Sequence, residues 1–240
     1  MEKIILYCLA NAGGSSTMYL KWRKFTDEFV EIYPLELPGR GKKTDEAPFS
    51  NISDIVDYLY TQIKDNIDER EYAIFGYSMG SLVGYELYYK IKEEGHRLPI
   101  HFFAASLEAP QFISTKKTTY NLSANDFKRE VLIYNGFPAD FLGDESLLNY
   151  YLHILRADFE AIETYKYSSE KNLMQTDLTL FYGENDNISL NKVYGWEFLT
   201  EKTFQLHKFK GNHFFINENL SEVIEIINDK LKTAFLLKHI

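Results

Sequence analysis

The stretch Gly76-Tyr77-Ser78-Met79-Gly80 decides the fold. An apolar segment typical of a short buried strand precedes it at Glu71–Phe75, and helical spacing follows it over Ser81–Lys92. In that context the pattern Gly-x-Ser-x-Gly predicts a sharp strand-to-helix turn, where bulky side chains in place of the glycines would clash with neighbouring atoms. The turn presents the Ser78 hydroxyl at the end of a sheet, so Ser78 is the predicted nucleophile.

Strand and helix patterns alternate along the rest of the chain. The other predicted strands are Ile4–Ala10, Glu31–Leu37, Ile100–Ala105, Leu178–Tyr182 and Thr203–Lys208. The other predicted helices are Tyr19–Phe29, a helix capped by Ser53 with apolar residues through Ile67, Leu147–Ile162, and Leu220–Leu231. This alternation predicts an α/β fold with a mostly parallel central sheet flanked by helices. Together with the serine turn it favours the α/β-hydrolase fold.

One long segment interrupts the alternation. About 70 residues separate the strand ending at Ala105 from the strand beginning at Leu178, although a crossover normally needs about a dozen. We therefore expect one domain over residues 1–240, with a helical cap inserted at about 110–170, above the carboxyl ends of the strands. The alternative is a small second domain with no role at the site.

A serine nucleophile needs a base and an acid. Of the six histidines, only His213 lies in a loop directly after a late strand, where the chain order Ser-Asp-His requires it. The predicted acid is Asp186, which follows the strand Leu178–Tyr182 in Gly183-Glu184-Asn185-Asp186. Glu184 is the alternative acid.

Two backbone regions are expected to stabilise an oxyanion. The amide of Met79 begins the helix after the serine turn, where helix N-termini favour negative charge. A second amide should come from the loop Asn11-Ala12-Gly13-Gly14 after the first strand, and Asn11 and Ala12 are the candidate donors.

Composition excludes several other functions. The formal net charge of −9 argues against a nucleic-acid partner. No His, Cys or carboxylate cluster has metal-ligand spacing and no phosphate-binding loop occurs, so neither metal nor cofactor is expected. No apolar run approaches the length of a membrane span. The single cysteine, Cys8, lies in an apolar strand and can form no intrachain disulfide, which fits a cytoplasmic protein.

The sequence resembles the type II thioesterases that accompany non-ribosomal peptide and polyketide synthases. The matching segments are Cys8–Gly14, Leu37-Pro38-Gly39-Arg40, Phe75–Gly80, Leu155-Arg156-Ala157-Asp158-Phe159, Gly183–Asp186 and Gly211–Phe215. The resemblance implies hydrolysis of acyl groups from the phosphopantetheine arm of acyl- or peptidyl-carrier proteins, which removes misprimed or stalled units. It also implies that Ser78 attacks the thioester, that His213 takes its proton and that Asp186 stabilises the imidazolium.

Two other functions stay open at this point. One is a small-molecule esterase or lipase, and the other is a non-catalytic binding protein on the same fold. For the carrier protein, which is usually acidic, the hypothesis is a local basic patch, since the overall charge does not attract it. Arg40, Lys42 and Lys43 form the first candidate patch, and Lys116 with Lys117 forms the second.

Overall fold

A computed structural model describes residues 3–114, 117–133 and 144–238. The strands in this part of the chain are β1 (Ile4–Leu9), β2 (Val30–Pro34), β3 (Tyr72–Tyr77), β4 (His101–Ala105), β5 (Asp177–Gly183) and β6 (Phe204–Phe209). They form one sheet in the order β2-β1-β3-β4-β5-β6, and all neighbouring pairs are parallel. The predicted α/β-hydrolase architecture is confirmed, and the carboxyl ends of all six strands meet at one edge of the sheet.

Helices cover both faces of this sheet. They are α1 (Ile52–Ile63), α2 (Met79–Glu93), α3 (Ala124–Ile133), α4 (Glu145–Glu163), α5 (Leu190–Tyr194) and α6 (Leu220–Lys238). Side chains of β1 alternate between two cores, as the period of two in a strand requires. Tyr7 packs in the core that α1 and α2 cover, whereas Cys8 packs in the core that α6 covers. Burial raises the pKa of the Cys8 thiol well above its usual value, so this cysteine is an unreactive core residue.

Two local predictions differ from the structure. The helix expected at Tyr19–Phe29 is instead a 3-10 helix at Ser16–Lys24. Tyr19 and Trp22 are both buried and contact each other edge to face, and residues three apart share one side of a 3-10 helix. The cap of α1 is Asn51 and not Ser53, because the Asn51 side chain accepts the amide of Asp54 at 2.8 Å.

The segment between β4 and β5 contributes α3 and α4, which share a small apolar core. Its buried members are Phe127, Val131, Leu148, Leu152 and Leu155. Helix α4 lies over the loops that follow β1 and β2, since the hydroxyl of Tyr150 donates to the carbonyl of Gly39 and Tyr151 packs against Gly13. Residues 115–116 and 134–143 of the expected cap lie outside the described residues.

Candidate active site

Ser78 sits at the turn between β3 and α2 in a strained backbone conformation. Its φ of 53° is one of two positive values among the described non-glycine residues. The amide of Ser78 donates to the carbonyl of Ala105 at 2.8 Å, and its carbonyl accepts the amide of Ser81 at 2.8 Å. These two hydrogen bonds keep the Ser78 backbone in its strained conformation.

The two glycines of the motif are required by close backbone contacts. A Cβ on Gly76 would lie 2.3 Å from the carbonyl oxygen of Gly80, and a Cβ on Gly80 would lie 2.2 Å from the carbonyl oxygen of Leu9. Both obstacles are main-chain atoms that cannot rotate away. The contact of Gly80 with Leu9 also brings the start of α2 against the segment that leads into the loop Asn11–Gly14.

His213 contacts the Ser78 hydroxyl from a loop after β6. Its Nε2 lies 3.0 Å from Ser78 Oγ. The carbonyl of His213 accepts two hydroxyl hydrogen bonds, from Tyr77 at 2.8 Å and from Ser106 at 2.9 Å. Sequence reasoning missed both hydroxyls, because only the folded structure brings β3 and β4 beside this loop. They fix the backbone that carries the imidazole.

Asp186 completes a hydrogen-bonded chain of three side chains. Its Oδ2 lies 2.9 Å from His213 Nδ1, and its side chain is only 3% exposed. An ionised carboxylate only accepts hydrogen bonds, so Nδ1 donates to Asp186 and Nε2 is left to accept from Ser78. Glu184, the alternative acid, is exposed, and its amide donates to the carbonyl of Phe209. The structure brings Asp186 and not Glu184 to the imidazole.

The predicted oxyanion loop has two engaged amides and two free ones. The amide of Gly13 donates to Asp158 Oδ2 at 2.7 Å, and that of Gly14 donates to the carbonyl of Asn11 at 2.9 Å. Within the described parts of the chain, the amides of Asn11, Ala12 and Met79 have no hydrogen-bond acceptor. These are the three amides that the sequence predicts as donors to an oxyanion.

The hypothesis that Arg40 belongs to a surface patch is wrong. Arg40 is 4% exposed and forms a two-pronged ion pair with Asp158, at 2.8 Å for each bond. Burial opposes the charge on Arg40, but the carboxylate beside it outweighs burial and raises the pKa of the guanidinium. Lys43 is half-buried, with its ammonium bound to the Tyr58 hydroxyl.

The other three lysines of the two candidate patches are Lys42, Lys116 and Lys117, and a docking role requires them to be exposed to solvent. Lys42 and Lys117 are exposed, whereas Lys116 lies outside the described residues.

The described residues contain no group of three or more His, Cys, Asp or Glu side chains that could hold a metal ion. Among them there is also no helix with the length and apolar character needed to cross a membrane.

Comparison with known proteins gives a consistent result over almost the whole chain. The model of the thioesterase domain family matches residues 4–231. The gramicidin S biosynthesis protein GrsT of Aneurinibacillus migulanus is 30% identical over 98% of this chain and 92% of its own. The crystal structure of ClbQ, from the colibactin NRPS/PKS pathway, superposes with a TM-score of 0.93 at 27% identity, covering 98% of this chain and 100% of that one. The type II thioesterase BorB, from the borrelidin cluster, gives 0.86 at 26% identity, with 95% and 93% covered.

Proposed function

The chain belongs to the thioesterase domain family and is a thioester hydrolase, and we propose that it is a type II thioesterase acting on carrier-bound acyl groups through Ser78, His213 and Asp186. The observation that carries this proposal is the continuous chain of hydrogen bonds from Ser78 through His213 to Asp186 at the carboxyl edge of the sheet. Similar proteins support it: GrsT is named for gramicidin S biosynthesis, ClbQ comes from the colibactin NRPS/PKS pathway, and BorB is named a type II thioesterase, with 92%, 100% and 93% of their chains covered.

The first half of the reaction acylates Ser78. Its Oγ attacks the thioester carbonyl while His213 Nε2 takes the hydroxyl proton, and Asp186 stabilises the imidazolium that results. The amide of Met79, with that of Asn11 or Ala12, holds the negative oxygen of the tetrahedral intermediate. The C–S bond then breaks, and His213 returns the proton to the leaving thiolate.

The second half releases the acid. A water molecule replaces the thiol, and His213 takes one of its protons as the water oxygen attacks the acyl-serine carbonyl. The same amides hold the second oxyanion. When the ester bond breaks, His213 gives the proton to Ser78 Oγ, and the free serine and a carboxylic acid remain.

The partner in this proposal is an acyl- or peptidyl-carrier protein that bears phosphopantetheine. The proposal includes no nucleic-acid partner and no membrane, and the net charge of −9 supports the absence of a nucleic-acid partner. Helices α3 and α4 act as the cap of a single domain, in support of which α4 lies over the loops after β1 and β2. The location is the cytoplasm, in keeping with a single, buried cysteine.

One comparison tests the function. The purified protein is offered the same acyl group on a phosphopantetheinylated carrier protein, on free pantetheine and as a simple oxyester. The expected result is a higher kcat/KM on the carrier than on free acyl-pantetheine, with the oxyester slowest. The Ser78→Ala variant serves as the control and should lose about three or more orders of magnitude in rate.

Two outcomes would contradict the proposal. Equal kcat/KM on the carrier and on free acyl-pantetheine would mean that the protein does not recognise a carrier. Faster turnover of the oxyester, with no preference for the carrier, would favour the small-molecule esterase.

A further inference from the structure

The ion pair between Arg40 and Asp158 costs free energy to bury and takes no part in the proposed proton transfers. Asp158 is fully buried and Arg40 nearly so, and the loss of hydration on burying two charges can exceed their attraction. In proteins generally, replacing a buried ion pair with apolar side chains of similar size is often neutral or stabilising. What the charges provide, and apolar groups would not, is hydrogen bonding of fixed direction.

Those hydrogen bonds reach the loop that carries the predicted oxyanion donors. Asp158 Oδ2 accepts the amide of Gly13 at 2.7 Å as well as the Arg40 guanidinium at 2.8 Å. The same guanidinium nitrogen of Arg40 donates to the carbonyl of Gly14 at 3.3 Å. One ion pair therefore holds two consecutive residues of the loop, one through its N–H and the other through its C=O.

Side chains of α4 pack closely against Gly13 of the loop. Gly13 has φ of +70°, and a Cβ there would lie 2.6 Å from the hydroxyl oxygen of Tyr151 and 3.1 Å from Leu155. Both side chains project from α4, the helix that also carries Asp158. Gly13 thus packs against one stripe of α4, where the Asp158 carboxylate accepts its amide and the side chains of Tyr151 and Leu155 contact its α-carbon region.

The held part of the loop adjoins the free amides. Asn11 and Ala12 directly precede Gly13, and the Gly14 amide closes the turn by donating to the Asn11 carbonyl at 2.9 Å. Arg40 also lines a small cavity together with Gly14 and Met79, so this member of the pair lies near the residue that carries the other predicted donor. Oxyanion donors are effective only when they are fixed before the reaction begins.

We propose that Arg40 and Asp158 are positioning residues, which hold the loop Asn11–Gly14 so that its free amides meet the oxyanion formed at Ser78. This inference rests on the proposed function for the identity of the oxyanion. Asp158 fixes Gly13 directly, and Arg40 orients the Asp158 carboxylate through both of its oxygens. Because Asp158 belongs to α4, the geometry of the oxyanion loop depends on how α4 is seated.

The test uses Asp158→Asn and the double variant Arg40→Met/Asp158→Leu. Asparagine keeps the size of the side chain but places an NH₂ group against a donor from Arg40 or Gly13. The double variant removes both charges, so no unpaired charge is buried and the fold is kept. In both variants kcat on a small acyl-thioester should fall about 10- to 100-fold, as misplacement of a reacting group predicts, while KM stays close to that of the wild type.

Two inhibitors separate positioning from general damage. A trifluoromethyl ketone analogue of the substrate forms a tetrahedral adduct with Ser78, whereas the matching thioether only occupies the site. Affinity for the ketone should fall by the same factor as kcat/KM, and affinity for the thioether should not change. The matched control is Arg156→Met, because Arg156 is on α4 only two residues from Asp158 but projects from a different face and donates to the carbonyls of Tyr120 and Leu122, away from the loop. Its kcat should stay near the wild-type value.

The inference is overturned if the folded double variant keeps the wild-type kcat, or if both inhibitors lose affinity equally. These outcomes differ from a failure of the proposed function. If the wild-type protein prefers an oxyester, the same series is run on that ester, since its hydrolysis forms the same oxyanion. The function can thus fail while the positioning role stands, and the reverse is equally measurable.

Discussion

Replacing Asp186 with asparagine removes a buried carboxylate that touches the imidazole of His213. The side chain is 3% exposed, and its Oδ2 lies 2.9 Å from Nδ1. The centres of the carboxylate and of the imidazolium that forms during the reaction are about 4 Å apart, which gives about 4 kcal/mol of attraction at an effective dielectric constant of about 20. Asparagine also favours the wrong tautomer of His213, which adds to that loss.

The two effects together predict a fall of about 10⁴-fold in kcat, equivalent to about 5.5 kcal/mol. The assay follows release of free thiol from a small acyl-thioester, and a thermal melt verifies that the variant is folded. Glu184→Gln is the matched control, because Glu184 lies two residues away in the same loop and is exposed. It should change kcat by no more than about threefold. A folded Asp186→Asn variant with more than about a tenth of wild-type activity would refute this reasoning, as would a larger loss at Glu184.

Three further predictions concern docking, pH and the support of the base. Lys42→Glu should raise KM for the acyl-carrier protein, more at low salt, and leave hydrolysis of a small thioester unchanged; equal loss on both substrates would count against docking there. Lys43 is half-buried against the Tyr58 hydroxyl, so the fold should accept Arg at this position but not Glu. Burial lowers the pKa of His101 to about 4, so the unfolded state binds a proton first as the pH falls, and about 3 kcal/mol of stability should be lost between pH of about 6.5 and 4. Denaturant melts of His101→Gln should lack that part of the loss, and an unchanged slope would exclude His101 as its source. Tyr77→Phe removes one of the two hydroxyls that donate to the His213 carbonyl. It should lower the free energy of unfolding by about 1 kcal/mol in a denaturant melt and lower kcat several-fold. An unchanged kcat would mean that the Ser106 hydroxyl alone holds the loop.

The sequence alone determined the features that depend on neighbours along the chain. A strand pattern, two glycines and a helical pattern around Ser78 were enough to predict the turn, because the close contacts of Gly76 arise within five residues. Asp186 and His213 could be predicted to meet Ser78 because each follows a strand and parallel strands bring their carboxyl ends to one edge, and the structure places the three side chains in contact. The oxyanion donors stay a prediction of the same kind.

Only the tertiary structure decided the features that join distant segments. Arg40 and Asp158 are 118 positions apart, and nothing local to Arg40 distinguishes a buried ion pair from an exposed charge. Which of the two candidate carboxylates contacts His213 depends on how the loop after β5 folds, and the structure brings Asp186 into contact while Glu184 stays exposed. A pattern along the chain records which residues lie on one face of an element, whereas the pairing of charges and hydroxyls between elements depends on how those elements pack.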